Sequence, residues 1–307
     1  MSPLLPNEQV EITKAKRTLN GFAAALFIEY AFMTLVGIVG GVLGVLLDRA
    51  DEITAILSSA YADTALRILG VIPIWLYARY RLPSNGHAPI HRIETPMPLV
   101  LAASCLASFL ARIPGAYLFG NDANIDLGMT YEGAELWVFV LSTSVLAPVI
   151  EEYMFRSVLL RAMRPFGRNA YLLVSSLLFA SLHAAGSMLS AFVIALIFGY
   201  VAYETDSIRC TVMLHMVFNY ISCMLMLSSM SENRSLYAAL TLAYLVFVFV
   251  SGTIGVAIGI RNLKRNRRLS VRWLPVRYGF TVPIVLFLAY QALLKIVTIL
   301  YGGMPAV

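Results

Sequence analysis

The chain has 307 residues, of which 59% are hydrophobic and 13% charged, and its mean hydropathy is +0.77; this balance excludes an ordinary water-soluble globule and makes the bilayer the main solvent. The formal charge of +6 does not signal a nucleic-acid partner, because the cations gather between apolar runs. Cys105, Cys210 and Cys223 lie in or beside those runs with no CxxC pairing, which excludes a disulfide framework or thiolate zinc site and leaves packing as their role.

The first twenty residues carry Glu8, Glu11, Lys14, Lys16 and Arg17. The apolar run behind them is too long for a secretory signal and has no small-residue cleavage site, so the first helix is expected to stay attached. Spanning the hydrocarbon takes roughly 20 helical residues, and such runs are read at 20–47, 64–80, 97–119, 135–163, 170–184, 188–203, 208–229, 236–260 and 278–301. They predict an all-α class: a polytopic transmembrane helical bundle of eight or nine spans, forming one integral membrane domain over 1–307. The count turns on the short runs at 64–80 and 170–203, where Ala184, Ala185, Gly186 and Ser187 mark a hairpin or a kink. No internal repeat is evident.

Lys14, Lys16 and Arg17, then Arg79, Arg81 and Arg92, then Arg161, Arg164 and Arg168, then Arg261, Lys264, Arg265, Arg267, Arg268 and Arg272 fall on one side when nine spans are drawn. Cytoplasmic loops hold that excess, so this side and the N-terminus are expected in the cytoplasm, with the C-terminus outside, in the plasma membrane of a prokaryote. The opposite loops agree, as in Asn121 to Glu135 with Asp122, Asp126, Glu132 and Glu135. The run from Arg261 to Arg272 is read as fixing topology; contact with acidic lipid head groups, at about 1 kcal/mol per cation, is the other reading.

Ionisable groups inside a span cost about 2.5 to 3.5 kcal/mol each on insertion scales, so each needs a reason. Glu151 and Glu152 lie in an apolar helix after Pro148, which is expected to kink it, and Arg156 follows one turn on. Glu152 and Arg156, at i and i+4, share a helix face and offset each other's burial. Glu151 points about 100° away and is free to face a cavity as a general base, although spacing alone does not assign the two roles. Phe179 and His183 stack at i and i+4 on the next helix, and His215 and Asn219 on a later one. A base, an imidazole and an amide donor together are what water attack on a carbonyl requires. Glu204, Thr205 and Asp206 read as a turn that caps the following helix, with no catalytic role. Glu29, in the first span, has no partner identifiable from the sequence.

These stretches resemble the CPBP family, the CAAX proteases and bacteriocin-processing enzymes also called Abi, whose pattern is EExxxR, then FxxxH, then HxxxN. Here the three read Glu151-Glu152-Tyr153-Met154-Phe155-Arg156, Phe179-Ala180-Ser181-Leu182-His183, and His215-Met216-Val217-Phe218-Asn219. The connection from Gly199 to Ser207 is also similar, and the resemblance covers a catalytic core at about 135–228. It implies an intramembrane endopeptidase acting on a hydrophobic, lipidated or membrane-associated peptide. In it Glu151 activates a water, His183 holds or deprotonates that water, His215 and Asn219 stabilise the oxyanion, and Glu152 and Arg156 support the site. Likeness to the prenyl-protein CAAX endopeptidase implies no required cofactor; the metalloprotease label given to the family keeps zinc open, with Glu151, His183 and His215 as its ligands.

Two alternatives stay open. A transporter would use the same intramembrane charges for a proton relay but predicts paired halves. A non-proteolytic member of the family would use the scaffold to bind a membrane partner.

Overall fold

A backbone surrounded by hydrocarbon has no water to satisfy its N–H and C=O groups, so a chain this apolar closes its hydrogen bonds within helices. The computed structural model describes residues 6–82, 93, 95–119, 132–230, 233–266 and 276–302, and every regular element among them is helical. Arg92, Asn121, Asp122, Asp126, Arg267, Arg268 and Arg272 lie outside the described residues.

The helices in chain order are α1 (Pro6–Leu46), α2 (Ala50–Ser58), α3 (Ala60–Gly70), α4 (Ile72–Arg81), α5 (Met97–Phe119), α6 (Gly133–Leu141), α7 (Ala147–Glu152), α8 (Leu160–Met163), α9 (Arg168–Ser181), α10 (Met188–Thr205), α11 (Ile208–Met230), α12 (Arg234–Val246), α13 (Gly252–Asn266) and α14 (Val282–Gly302). Six rods are long and apolar enough to cross a membrane; Ala50–Ser58 with Ala60–Arg81, bent by 62°, makes up to seven. Val282–Val297 is a shorter apolar helix, and α9 has only 14 residues. These elements are compatible with eight or nine spans, and the protein is an integral membrane protein. The break at Ala184 to Ser187 is a real interruption: α9 ends at Ser181, and a single 3-10 turn, Ala185–Ser187, leads into α10.

Of the six long rods, Ala185–Thr205, which contains α10, is the most enclosed, with half of its apolar window buried in the bundle, against 17% for the peripheral rod Arg234–Asn262. That outer rod is held by α13 lying close on α5: a Cβ at Gly252 would come within 2.8 Å of the Ala102 carbonyl oxygen. Leu35, Val45, Leu46 and Ile296 are exposed on the outer surface, as lipid-facing side chains are. Inside, Phe22 of α1 packs edge-on to Phe155, with centroids 6.5 Å apart, and Phe155 to Phe179 at 5.3 Å. All three rings are buried.

Two ion pairs tie the start of α9 to the end of α10. Arg164 meets Asp206 at 2.6 Å, and Arg168 meets Glu204 at 2.7 Å. Asp206 has φ 50° and ends α10 in the left-handed conformation, so the turn read from the sequence carries this latch as well as a bend. Glu204 is 1% exposed. Removing one partner of a buried ion pair is costly, so Arg168→Ala is expected to cost about 3 kcal/mol. Thermal unfolding in detergent checks this, with the double variant Arg168→Met/Glu204→Leu melting closer to wild type.

Candidate active site

The two glutamates sit on one continuous rod, Gly133–Phe166, bracketed by π-helical turns at Ser142–Leu146 and Tyr153–Leu159. At Pro148, where the sequence predicts a kink, the rod runs on as one span and carries the first of these turns just before the proline. In it the Ala147 N–H donates to the Ser142 carbonyl, five residues back. The next carbonyl, Thr143, would draw on residue 148, but proline has no N–H. Asn219 of α11 fills the gap: its Nδ2 donates to the Thr143 carbonyl at 3.0 Å. In the second turn the Phe155 carbonyl accepts from the Tyr171 hydroxyl at 3.2 Å. Single π turns of this kind are frequent at functional sites because they shift which side chains face a neighbour.

Glu152 is fully buried and divides its two oxygens between two partners. Arg156 Nε lies 3.3 Å from Oε2, and His215 Nδ1 lies 2.9 Å from Oε1. Because Oε1 only accepts from a ring nitrogen when ionised, His215 carries its proton on Nδ1 in this contact. Its Nε2 then points at the other glutamate, 3.7 Å from Glu151 Oε2. Arg156 is steadied further by the Ala195 carbonyl at 3.4 Å and lies 4.8 Å over the Phe179 ring, a favourable place for a desolvated guanidinium.

Phe179 is the wedge of the site. Its ring is 4.7 Å from the His183 ring and 5.9 Å from that of His215, and Phe198 packs on His215 from the far side at 5.6 Å. Its backbone carbonyl takes His183 Nδ1 at 2.9 Å. A carbonyl can only accept, so Nδ1 is the protonated nitrogen and Nε2 of the neutral ring is left as an acceptor.

Glu151 and His183 both line a cavity of about 410 Å³, within the usual range for small-ligand sites. Part of its wall comes from helices outside the motif core: Glu29, Tyr30 and Met33 of α1, and Asp63 and Arg67 of α3. The site residues read from the sequence are thus brought together, Glu151 and His183 at the cavity and Glu152, Arg156 and His215 behind Glu151. Asn219 is engaged with the backbone of the glutamate helix. The sequence reading missed Asp63, Arg67 and Lys295. Lys295 of α14 donates to the carbonyl of Ser181, the last residue of α9, placing a cation at a helix C-terminus beside His183. Its signal was an intramembrane lysine, and the earlier residues needed their own reason in the same way.

Among the described residues no three His, Cys, Asp or Glu side chains are grouped closely enough to hold a metal ion. The contacts of His183 and His215 with the Phe179 carbonyl and with Glu152 engage Nδ1 of each ring and leave Nε2 as its remaining nitrogen.

Residues 133–221 match the family described as Type II CAAX prenyl endopeptidase Rce1-like. No curated protein and no solved structure matches the chain.

If Asn219 replaces the donor that Pro148 lacks, Asn219→Ala leaves a part-buried carbonyl without it and should cost about 1 kcal/mol. Pro148→Ala restores an N–H and should return about 1 kcal/mol in the double variant, a coupling that denaturation of all four forms measures directly.

Proposed function

We propose, from the match of residues 133–221 to the family described as Type II CAAX prenyl endopeptidase Rce1-like, that the chain is an intramembrane endopeptidase that hydrolyses a peptide bond with a glutamate-activated water. The matched family is one of proteases, which makes hydrolysis the class of chemistry. The observation that carries the finer reading is the sharing of one cavity by Glu151 and His183, with His215 held by Glu152 and reaching to 3.7 Å from Glu151.

Water enters the cavity and is oriented by accepting groups at Glu151 and at His183 Nε2. Glu151 removes a proton as the water oxygen attacks the scissile carbonyl carbon, and the carbonyl π pair moves onto its oxygen. His215, when protonated at Nε2, and the second N–H of Asn219 Nδ2 are the donors for that oxyanion. Collapse re-forms the carbonyl and breaks the C–N bond, and Glu151 returns its proton to the departing amine. Glu152 keeps its charge throughout, fixing the ring of His215 much as a buried carboxylate orients a catalytic imidazole. Arg156 balances Glu152.

The apolar lining from Met33, Ile150, Met154 and Leu182 suits a hydrophobic or lipidated peptide, presented from the membrane in which the protein sits. In this reading the basic loops and N-terminus face the cytoplasm of a prokaryotic cell, and the partners are the peptide substrate and membrane lipids.

The test is cleavage of a quenched peptide library by detergent-purified protein. Glu151→Gln should lower the rate by about 10² to 10⁴, and Asn219→Ala by about 10² to 10³, with the helices still assembled. A zinc chelator added to wild type should leave the rate unchanged. Turnover that survives in Glu151→Gln would overturn the assignment of the base, and a library that no form cleaves would move the reading to a membrane scaffold.

A further inference from the structure

We propose that the part of the cavity walled by α1 and α3 is a specificity pocket for a basic side chain, lysine or arginine, of the bound peptide, with Glu29 as its recognition group. The proposal rests on the peptide-substrate reading above in taking the ligand to be a peptide, and goes beyond it in naming the residue class selected.

The argument begins with charge. Three carboxylates line the cavity, on Glu29, Asp63 and Glu151, against one guanidinium, on Arg67. Arg67 Nε is bonded to Asp63 Oδ2 at 2.7 Å, so those two cancel. Glu151 stands beside His215. Glu29 is left: it is 8% exposed, and its Oε2 is buried without a hydrogen-bond partner. A carboxylate in a membrane span that faces a cavity and lacks a counter-charge is waiting for a donor or a cation, because burial without one is costly.

Its position supports the same conclusion. A Cβ on Gly70 would lie 3.4 Å from Glu29 Oε1, so α3 passes close on one side and holds the carboxylate against the bundle. The cavity that holds Glu29 and Glu151 is also lined by Tyr30, Met33, Met154 and Leu182. A long aliphatic stem fits such a sleeve while its charged head reaches the carboxylate, and the tyrosine ring favours a cation beside it. An acidic residue would meet the unpartnered Glu29 carboxyl instead.

The experiment uses the full-length Glu151→Gln protein in detergent, which removes turnover and leaves Glu29 as the uncompensated carboxylate. Fluorescent apolar decapeptides carrying one guest residue, scanned through every position as lysine, arginine, norleucine or glutamate, are titrated by anisotropy. Lysine and arginine peptides should bind about tenfold tighter than norleucine at one register, as one charge-assisted contact provides. Adding the isosteric Glu29→Gln should erase the preference without lowering thermal stability, and Glu29→Lys should turn it toward glutamate. Equal binding of all guests, a preference that survives Glu29→Gln, selection of glutamate by unmodified Glu29, or no binding by any peptide would each overturn the pocket. Wild-type cleavage is scored in parallel: cleavage without basic preference sinks the pocket and keeps the protease, whereas selective binding without cleavage does the reverse.

Discussion

The structure around the site depends on one buried charge. Glu152 is fully enclosed, and a carboxylate in that position is tolerable only with both oxygens engaged. Arg156 supplies the neutralising charge from one turn along the same helix, so it comes with the local fold. His215 supplies the second contact from α11, 63 residues away, so α11 must dock at one register before Glu152 is satisfied. The same contact turns Nε2 of His215 toward Glu151. Stability and site geometry therefore draw on a single interaction, and α7, α9 and α11 are locked in the arrangement that puts Phe179 between the two imidazoles.

A second constraint comes from Pro148. A proline inside a helix removes a donor and crowds the preceding turn. Here the cost is met by widening one turn to π geometry and by borrowing the amide of Asn219. That exchange puts α11 at a second fixed point on the glutamate rod, about one turn from the His215 contact. With two anchors at i and i+4, α11 can neither slide nor rotate without orphaning a buried group. The three motifs are thus read physically as one device: a helix with a built-in defect and a buried charge, and two helices that complete it.

How much of this the sequence discloses follows from range. The Glu152–Arg156 pair is legible because it is set by helical spacing alone; Phe179 and His183 do meet, but α9 ends at Ser181 and His183 follows it in a bend, held by the Phe179 carbonyl rather than by continued helix. The Glu152–His215 and Asn219–Thr143 contacts were not legible, because they join residues separated by tens of positions and depend on how the helices dock. Asn219 was read only as an oxyanion donor, since its backbone role follows from a π turn that no periodicity shows. Glu29 was legible as an intramembrane acid but not as a neighbour of Glu151 and His183, because that requires α1 and α3 to close the cavity wall. The break at Ala184 to Ser187 was visible from its small residues, while its character as a hairpin turn was decided by how α9 and α10 pack.

The division between the motif core and the outer helices has a functional logic. Everything that would act on the scissile bond lies on α7, on α11 or just past the end of α9, and the mutual positions of these helices are fixed by buried contacts. The wall that would face the rest of the peptide is made by α1 and α3, which lie outside residues 133–221. Changes in those two helices can alter what the cavity admits without disturbing the Glu152 anchor, because the ion pairs of Glu152 run to Arg156 and His215. A protease built this way separates its chemistry from its selectivity. Glu29 is where this chain places an uncompensated charge on the selective side, facing the same space as the group that would move the proton.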